Sequence, residues 1–154
     1  MKALTVLASA AFLGVMLVIG LALVPIFLVM DPQVFEDWFA RYFVFFLVPV
    51  ILTSMPAFVG AFVLRRRSPA GSTERRLWRD VLLALAVTYA VSTIIHLPLN
   101  IALWSRDLSD PDIRTTLGWW SAAHVLRIIG ALVASRTAYR AIAPAEAPIQ
   151  PVLP

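Results

Sequence analysis

The chain contains no cysteine in its 154 residues. This absence excludes disulfides, thiolate metal sites, iron–sulfur clusters and cysteine nucleophiles. Charge is also scarce, because only 14% of the residues are Asp, Glu, Lys or Arg, whereas 60% are hydrophobic. A soluble domain fills its core with far less apolar sequence. The composition, with a mean hydropathy of +0.84, therefore predicts a protein that crosses a membrane several times.

Three long stretches of the sequence carry no charged residue. They run for 28 residues between Lys2 and Asp31, for 23 between Arg41 and Arg65, and for 25 between Asp80 and Arg106. Each can cross a hydrocarbon core about 30 Å thick, because a helix needs about 20 residues for that distance. A fourth stretch, residues 115–135, is also long enough but contains Arg127.

The four stretches predict an all-α fold, namely a polytopic membrane four-helix bundle with up-and-down topology. We expect one transmembrane domain over residues 1–140, with helices at about 4–30, 42–64, 81–104 and 116–137. The first stretch continues for twenty residues beyond an ASA sequence that resembles a cleavage site, so we expect a retained helix and not a signal peptide. The proline-rich residues 141–154 are expected to be a disordered tail.

Positive charge is concentrated at one end of the predicted bundle. Nine of the thirteen basic residues fall near the two termini and in the loop between the second and third helices: Lys2, Arg65, Arg66, Arg67, Arg75, Arg76, Arg79, Arg136 and Arg140. The positive-inside rule then predicts that both termini are cytoplasmic, in what we expect to be a bacterial plasma membrane. We assign the basic charge to topology and to contact with the lipid bilayer, and we do not expect a nucleic-acid partner.

The connecting sequences and the prolines predict further local features. Residues 31–41, DPQVFEDWFAR, place apolar side chains at helical spacing, so we expect a short amphipathic helix in the outer interface. In the polar loop that follows the second helix, Thr73 is expected to cap the third helix. Pro25, Pro49 and Pro98 fall inside predicted helices at similar depth, where kinks can open a cavity in the bundle.

Polar residues interrupt the third apolar stretch at helical spacing. In the sequence HLPLN, His96 and Asn100 are four residues apart and therefore share one helical face. Ser92 continues this face one turn towards the middle of the membrane, and Trp104 continues it one turn towards the outer end. A simple membrane anchor does not need such a face, so the pattern predicts contact with another polar surface.

The fourth stretch carries a matching polar face. Trp120, His124 and Arg127 are separated by steps of four and three residues. His124 and His96 both lie about 12 Å below the outer ends of their helices, and the short loop between these helices makes them neighbours. No carboxylate lies at the depth of Arg127, and a lipid-facing arginine costs between about 2.5 and more than about 10 kcal/mol. Arg127 is therefore expected to face the polar cluster or an anionic or oxygen-rich ligand.

The two polar segments, HLPLNIAL and WWSAAHVLR, resemble the anthrone oxygenase family, which is also known as DUF1772. The resemblance rests on the four-helix membrane organisation and on Pro98, Asn100, Leu103, Trp120, His124 and Arg127. It covers the C-terminal half of the chain, whereas the N-terminal half matches only as two apolar helices. The implied reaction is oxidation of an anthrone, a tricyclic aromatic polyketide, to an anthraquinone by O2 without a metal or flavin.

The resemblance also suggests roles for individual residues. His124 is predicted to be the catalytic base, with His96 as a supporting or alternate base. Arg127 and Asn100 are predicted to stabilise the developing oxyanion. The flat apolar substrate is expected to enter from the lipid and to contact Trp120, Trp104, Ser92, Phe45 and Phe46. Trp104 also suits an aromatic belt at the membrane interface.

Two other functions remain open from the sequence. His96 and His124, on adjacent helices at equal depth, could ligate a haem or a metal ion. The polar residues could instead be interhelical hydrogen bonds in a non-catalytic protein that binds a lipid or small molecule or serves as an assembly partner. Proton-coupled transport is disfavoured, because no Asp or Glu lies within the four stretches. The sequence does not specify an oligomeric state.

Overall fold

The protein is a bundle of four long helices, described by a computed structural model for residues 1–143. The helices are α1 (Lys2–Val29), α2 (Pro32–Arg67), α3 (Thr73–Ser105) and α4 (Asp110–Arg140). Each is long and apolar enough to cross a membrane, and the described part of the chain contains no strand. These findings confirm the predicted all-α four-helix membrane bundle. Most of the expected disordered tail, residues 144–154, lies outside the described residues.

The helices pack in a ring in the order in which they follow one another. Helix α1 contacts α2 and α4, and α3 also contacts α2 and α4. Short connections between consecutive helices produce the antiparallel up-and-down arrangement. We call the end with the first residue, the α2–α3 loop and the end of α4 the basic end. We call the opposite end, with the α1–α2 and α3–α4 turns, the acidic end.

Helix α2 begins ten residues earlier than residue 42, its expected start. The Asp31 side chain caps it by accepting hydrogen bonds from two backbone N–H groups at 3.0 and 3.3 Å. Pro32 is tolerated at the first helical position, where its missing N–H has no helical partner. Phe35 and Phe39 are buried against side chains of α1, α3 and α4. The prediction of a separate interfacial helix over residues 31–41 is therefore wrong, because aromatic packing extends α2 through this segment.

Helix α3 begins at Thr73, eight residues before its expected start at residue 81, and its N-cap differs by one residue from the predicted cap. Ser72, and not Thr73, is the N-cap, because the Ser72 hydroxyl accepts a hydrogen bond from the backbone N–H of Arg75 at 3.1 Å. Gly71 before it adopts a φ of 76°, a conformation that glycine reaches without steric cost. This turn sets the direction in which α3 leaves the α2–α3 loop.

Two helices contain a short π-helical segment next to a proline. The segments are Ile19–Leu23 in α1 and Ser92–His96 in α3, and each ends two residues before its proline, Pro25 or Pro98. In both helices the residue before the proline donates its N–H to the carbonyl five residues earlier. Because proline lacks an N–H and its ring crowds the preceding turn, a π-helical adjustment lets the backbone continue through it.

Candidate functional site

A cavity of about 440 Å³ lies inside the bundle, beside the two π-helical segments. Most of its lining side chains are aliphatic or aromatic. The serine, threonine, asparagine, histidine and arginine residues that line it are Ser54, Thr88, Ser92, Thr93, His96, Asn100 and Arg127. An apolar cavity with a few converging polar groups is the usual form of a small-molecule site.

The cavity opens sideways between α2 and α3. Its lining residues Leu47, Ile51 and Met55 of α2 and Leu97 of α3 are between 41% and 50% exposed. The two helices contact each other on both sides of the π-helical segment of α3. In a membrane this opening faces acyl chains, so an apolar ligand can enter without passing through water.

His96 projects from the π-helical segment of α3 and lines the cavity. It is only 2% exposed, and its ring meets Trp120 edge-on, with 5.2 Å between the ring centroids. Within residues 1–143, neither ring nitrogen of His96 has a hydrogen-bond partner. Buried polar groups are normally hydrogen-bonded, so the imidazole of His96 is a group that a water molecule or a ligand in the cavity can satisfy.

His124 has a different environment from His96. Its Nε2 donates a hydrogen bond to the Met16 carbonyl oxygen of α1 at 2.9 Å. Its ring is parallel to that of Trp120, with 5.4 Å between the centroids, and Gly20 leaves space for it, because a Cβ there would lie 3.3 Å from His124 Cδ2. His124 does not line the cavity. The structure therefore places the predicted base in an interhelical contact and places the predicted alternate, His96, at the cavity.

Asn100 and Trp120 join α3 and α4 at the wall of the cavity. The Trp120 indole Nε1 donates a hydrogen bond to Asn100 Oδ1 at 2.8 Å. This bond fixes the orientation of both side chains, since the indole nitrogen is only a donor and must meet the amide oxygen. The amide nitrogen of Asn100 remains as a donor for a ligand in the cavity.

Arg127 is 8% exposed and lines the cavity from α4. Within the described residues its Nε has no hydrogen-bond partner. The ion pairs found in that part of the chain are Lys2–Glu74, Arg79–Asp80 and Arg106–Asp37. Arg127 therefore has no carboxylate partner there. A buried guanidinium without a counter-charge is costly, and an anionic or oxygen-rich ligand in the cavity would compensate it.

The cavity brings together six of the nine predicted site residues: His96, Asn100, Arg127, Trp120, Ser92 and Phe46. His124, Phe45 and Trp104 do not line it. Phe45 is 66% exposed, because its side chain points about 100° around the helix from that of Phe46, which lines the cavity. Trp104 is 55% exposed and packs edge-on against Phe43 near the acidic end. A substrate in this cavity would therefore contact neither Phe45 nor Trp104.

Several lining residues were not predicted. Ile19, Leu23 and Phe27 of α1 form an apolar wall opposite the polar face of α3. Ser54 of α2 is 1% exposed, and its hydroxyl has no partner in residues 1–143. The wall residues of α1 stand at the same positions relative to Pro25 as the polar residues of α3 relative to Pro98. This correspondence is the signal that could have identified the α1 wall.

The two histidines lie close together but have different polar surroundings. Within residues 1–143, no three histidine, aspartate or glutamate side chains converge as metal ligands. The two imidazole centroids are 6.1 Å apart, and Trp120 contacts both rings. Because Nε2 of His124 is bonded to the Met16 carbonyl, a ligand shared by the two histidines would have to meet Nδ1 of His124, which has no partner within residues 1–143.

Comparison with known proteins gives no further assignment. No family model, no curated protein and no solved structure matches the chain. The resemblance to anthrone oxygenases therefore rests on the residue pattern of α3 and α4, and the function must be argued from the cavity.

Proposed function

We propose that this integral membrane protein is an oxygenase that oxidises an anthrone, or a similar aromatic polyketide, with O2 and without a metal or flavin. One observation supports this proposal above all others. His96, with two unpaired ring nitrogens, and Arg127, with no carboxylate partner in the described residues, line the same apolar cavity. This pair offers a proton acceptor and a positive charge, which are the groups that formation of an aromatic oxyanion requires.

The cavity suits a flat apolar substrate. Its volume of about 440 Å³ lies within the range of about 300 to 1,000 Å³ that is usual for small-molecule sites. Phe46 and Trp120 offer aromatic surfaces to a ring system, and aromatic contacts favour such packing. The opening between α2 and α3 gives the substrate a route from the lipid.

The proposed reaction begins with proton transfer to His96. The neutral imidazole removes one proton from the substrate methylene, and the electron pair moves to the carbonyl oxygen. Arg127 and the Asn100 amide nitrogen stabilise that oxygen as an oxyanion. The anion gives one electron to O2, and the two radicals combine to form a carbon–oxygen bond at the former methylene.

The second half of the proposed reaction forms the quinone. The protonated His96 supplies a proton to the peroxide, and loss of the remaining hydrogen of that carbon as a proton accompanies cleavage of the oxygen–oxygen bond. A ketone forms, and water leaves. In the balanced reaction, one anthrone and one O2 give one anthraquinone and one water. O2 accepts four electrons and is the only oxidant needed.

We further propose that the basic end faces the cytoplasm of a bacterial cell. The support is the concentration of nine basic residues at that end. Because the chain has no cysteine, single cysteines at the exposed Ala70 and Ser109 can be labelled in intact cells with a membrane-impermeant maleimide. Labelling at Ser109→Cys alone supports this orientation, and labelling at Ala70→Cys alone would reverse it.

The experiment that tests the reaction is oxygen uptake by the purified protein in detergent with an anthrone. With heavy-isotope O2, the quinone should contain one labelled oxygen atom and the remaining label should appear in water. The control is an Arg127→Met sample at equal concentration, since anthrones also oxidise without an enzyme. Equal uptake in both samples would refute the proposed catalysis. Saturable binding without oxidation would then identify the cavity as a carrier or storage site.

A further inference from the structure

A second cavity, of about 190 Å³, lies at the basic end in the loop between α2 and α3. Its lining consists of Arg65, Gly71, Ser72, Arg75, Arg76 and Arg79. Four of these six residues are arginines, and none carries a carboxylate. The proposed oxidation does not use this cavity, because the two cavities share no lining residue.

Among the nearest acidic side chains, only Asp80 pairs with an arginine of this cluster. Glu74 accepts hydrogen bonds from Lys2 Nζ at 2.8 Å and from Trp78 Nε1 at 3.1 Å. Asp80 pairs with Arg79 at 2.8 Å. No ion pair within residues 1–143 involves the other three lining arginines. Three guanidinium groups therefore share one small cavity without a counter-charge from that part of the chain.

The arginine cluster lies at the start of α3, where Glu74 is the acidic residue of the first turn and pairs with Lys2. Arg75 and Arg76 lie in the first turn of the helix, where the helix dipole favours negative charge. The Ser72 hydroxyl satisfies only the backbone N–H of Arg75, and the N–H groups of Thr73 and Glu74 have no acceptor inside the helix. The positive-inside rule accounts for the number of arginines at this end but not for their convergence on a helix start.

We infer that this cavity is a binding site for a phosphate group. Guanidinium groups bind phosphate through paired N–H donors, and a helix start adds backbone N–H donors and a favourable dipole. The shared chemistry is the phosphate group itself, carried by the headgroup of an anionic phospholipid or by a soluble phosphate compound. The cavity lies beyond the apolar part of α2, where the headgroups of a membrane spanned by this helix would lie, so both sources can reach it.

A pair of double variants tests the site. Arg65→Gln/Arg75→Gln removes the two partly buried arginines of the cavity, whereas Arg67→Gln/Arg140→Gln removes two exposed arginines of the same end that do not line it. Calorimetric titration in detergent uses inorganic phosphate and, separately, short-chain phosphatidylglycerol against phosphatidylcholine. We expect the first variant to lose about 10-fold or more in affinity and the second to lose less than about 3-fold.

The two probes also distinguish the source of the phosphate. If phosphatidylglycerol binds and inorganic phosphate does not, the site recognises a lipid headgroup. If both probes bind, the site recognises the phosphate group of a lipid or of a soluble compound. Equal losses in the two variants would overturn the inference, as would native protein that binds neither probe. Thermal unfolding checks the fold: without phosphate, Arg65→Gln/Arg75→Gln should unfold at the native temperature or above it, because it removes like-charge repulsion.

Discussion

The two π-helical segments use the same backbone arrangement with opposite side-chain chemistry. Counted from the proline, the positions six before, two before and two after line the cavity in both helices. In α1 they are Ile19, Leu23 and Phe27, and in α3 they are Ser92, His96 and Asn100. The kinked backbone therefore provides the cavity wall in both cases. The side chains alone make one wall apolar and the other polar.

The two segments also differ in how they meet α4. In α1 the segment contains Gly20, where the His124 ring and Ile128 approach closely. In α3 the corresponding position is Thr93, which lines the cavity. One kink therefore allows close packing of α1 against α4, and the other leaves space open. Substitutions on the cavity walls test this difference between the two kinks.

The largest effect on turnover is expected when a polar residue of the α3 wall is replaced by its apolar counterpart from the α1 wall. His96→Leu gives α3 the residue that α1 has at the equivalent position, Leu23. Loss of the base should lower anthrone turnover by about 10²–10⁴-fold, with an unchanged circular dichroism spectrum. His124→Gln is the control, because its amide N–H can still donate to Met16. If His124→Gln lost more turnover than His96→Leu, the roles of the two histidines would be reversed.

Removal of the buried charge should have the next largest effect. Arg127→Met keeps an unbranched side chain but removes the guanidinium. Loss of an oxyanion-stabilising group should lower turnover by about 10²–10³-fold. Without substrate, the midpoint of thermal unfolding should rise, because a buried charge without a counter-charge has been removed. A lower midpoint would instead identify Arg127 as a structural residue.

A smaller effect is expected at the packing kink. Gly20→Val places methyl groups against His124 and Ile128, and overpacking of this kind costs about 1–3 kcal/mol. Gly14→Val in the same helix is the matched control, because a Cβ there meets nothing within 4 Å. Thermal unfolding by circular dichroism should show a loss for Gly20→Val only. Equal losses would mean that the valine itself, and not the contact with α4, destabilises α1.

The smallest effect is expected on the third wall of the cavity, which belongs to α2. Phe46→Ala removes a lining ring and should raise the KM for an anthrone about 10-fold, corresponding to about 1.4 kcal/mol of binding free energy. Phe45→Ala removes an exposed ring outside the cavity and should leave the KM unchanged. Steady-state oxygen uptake measures both. Equal KM values for the two variants would mean that the substrate does not contact the α2 wall of the cavity.

The four helices were predictable because charge is excluded from the hydrocarbon core whatever the helix contacts. The start of α2 was not predictable, because aromatic side chains at helical spacing suit both a membrane interface and the core of a helical bundle. Phe35 and Phe39 became buried only through contact with other helices. Such contacts are long-range, and a local pattern does not contain them.

The site was predictable as a cluster but not in its internal arrangement. Helical spacing brought His96, Asn100, Trp120 and Arg127 to one region, and all four line the cavity. Spacing could not indicate that His124 reaches the carbonyl of Met16, since that bond depends on how α1 packs against α4. Spacing also could not distinguish Phe45 from Phe46, because a helix phase that differs by one residue exchanges the cavity face for the lipid face.

The sideways opening between α2 and α3 has a consequence for any quantitative assay of this protein. A ligand that enters there is presented by the lipid phase, so the relevant concentration is its mole fraction in the membrane or micelle. Added detergent or lipid at a constant amount of ligand should therefore lower occupancy of the cavity by surface dilution. An apparent KM expressed per volume of water would change with the amount of lipid, whereas one expressed per mole of lipid would stay constant.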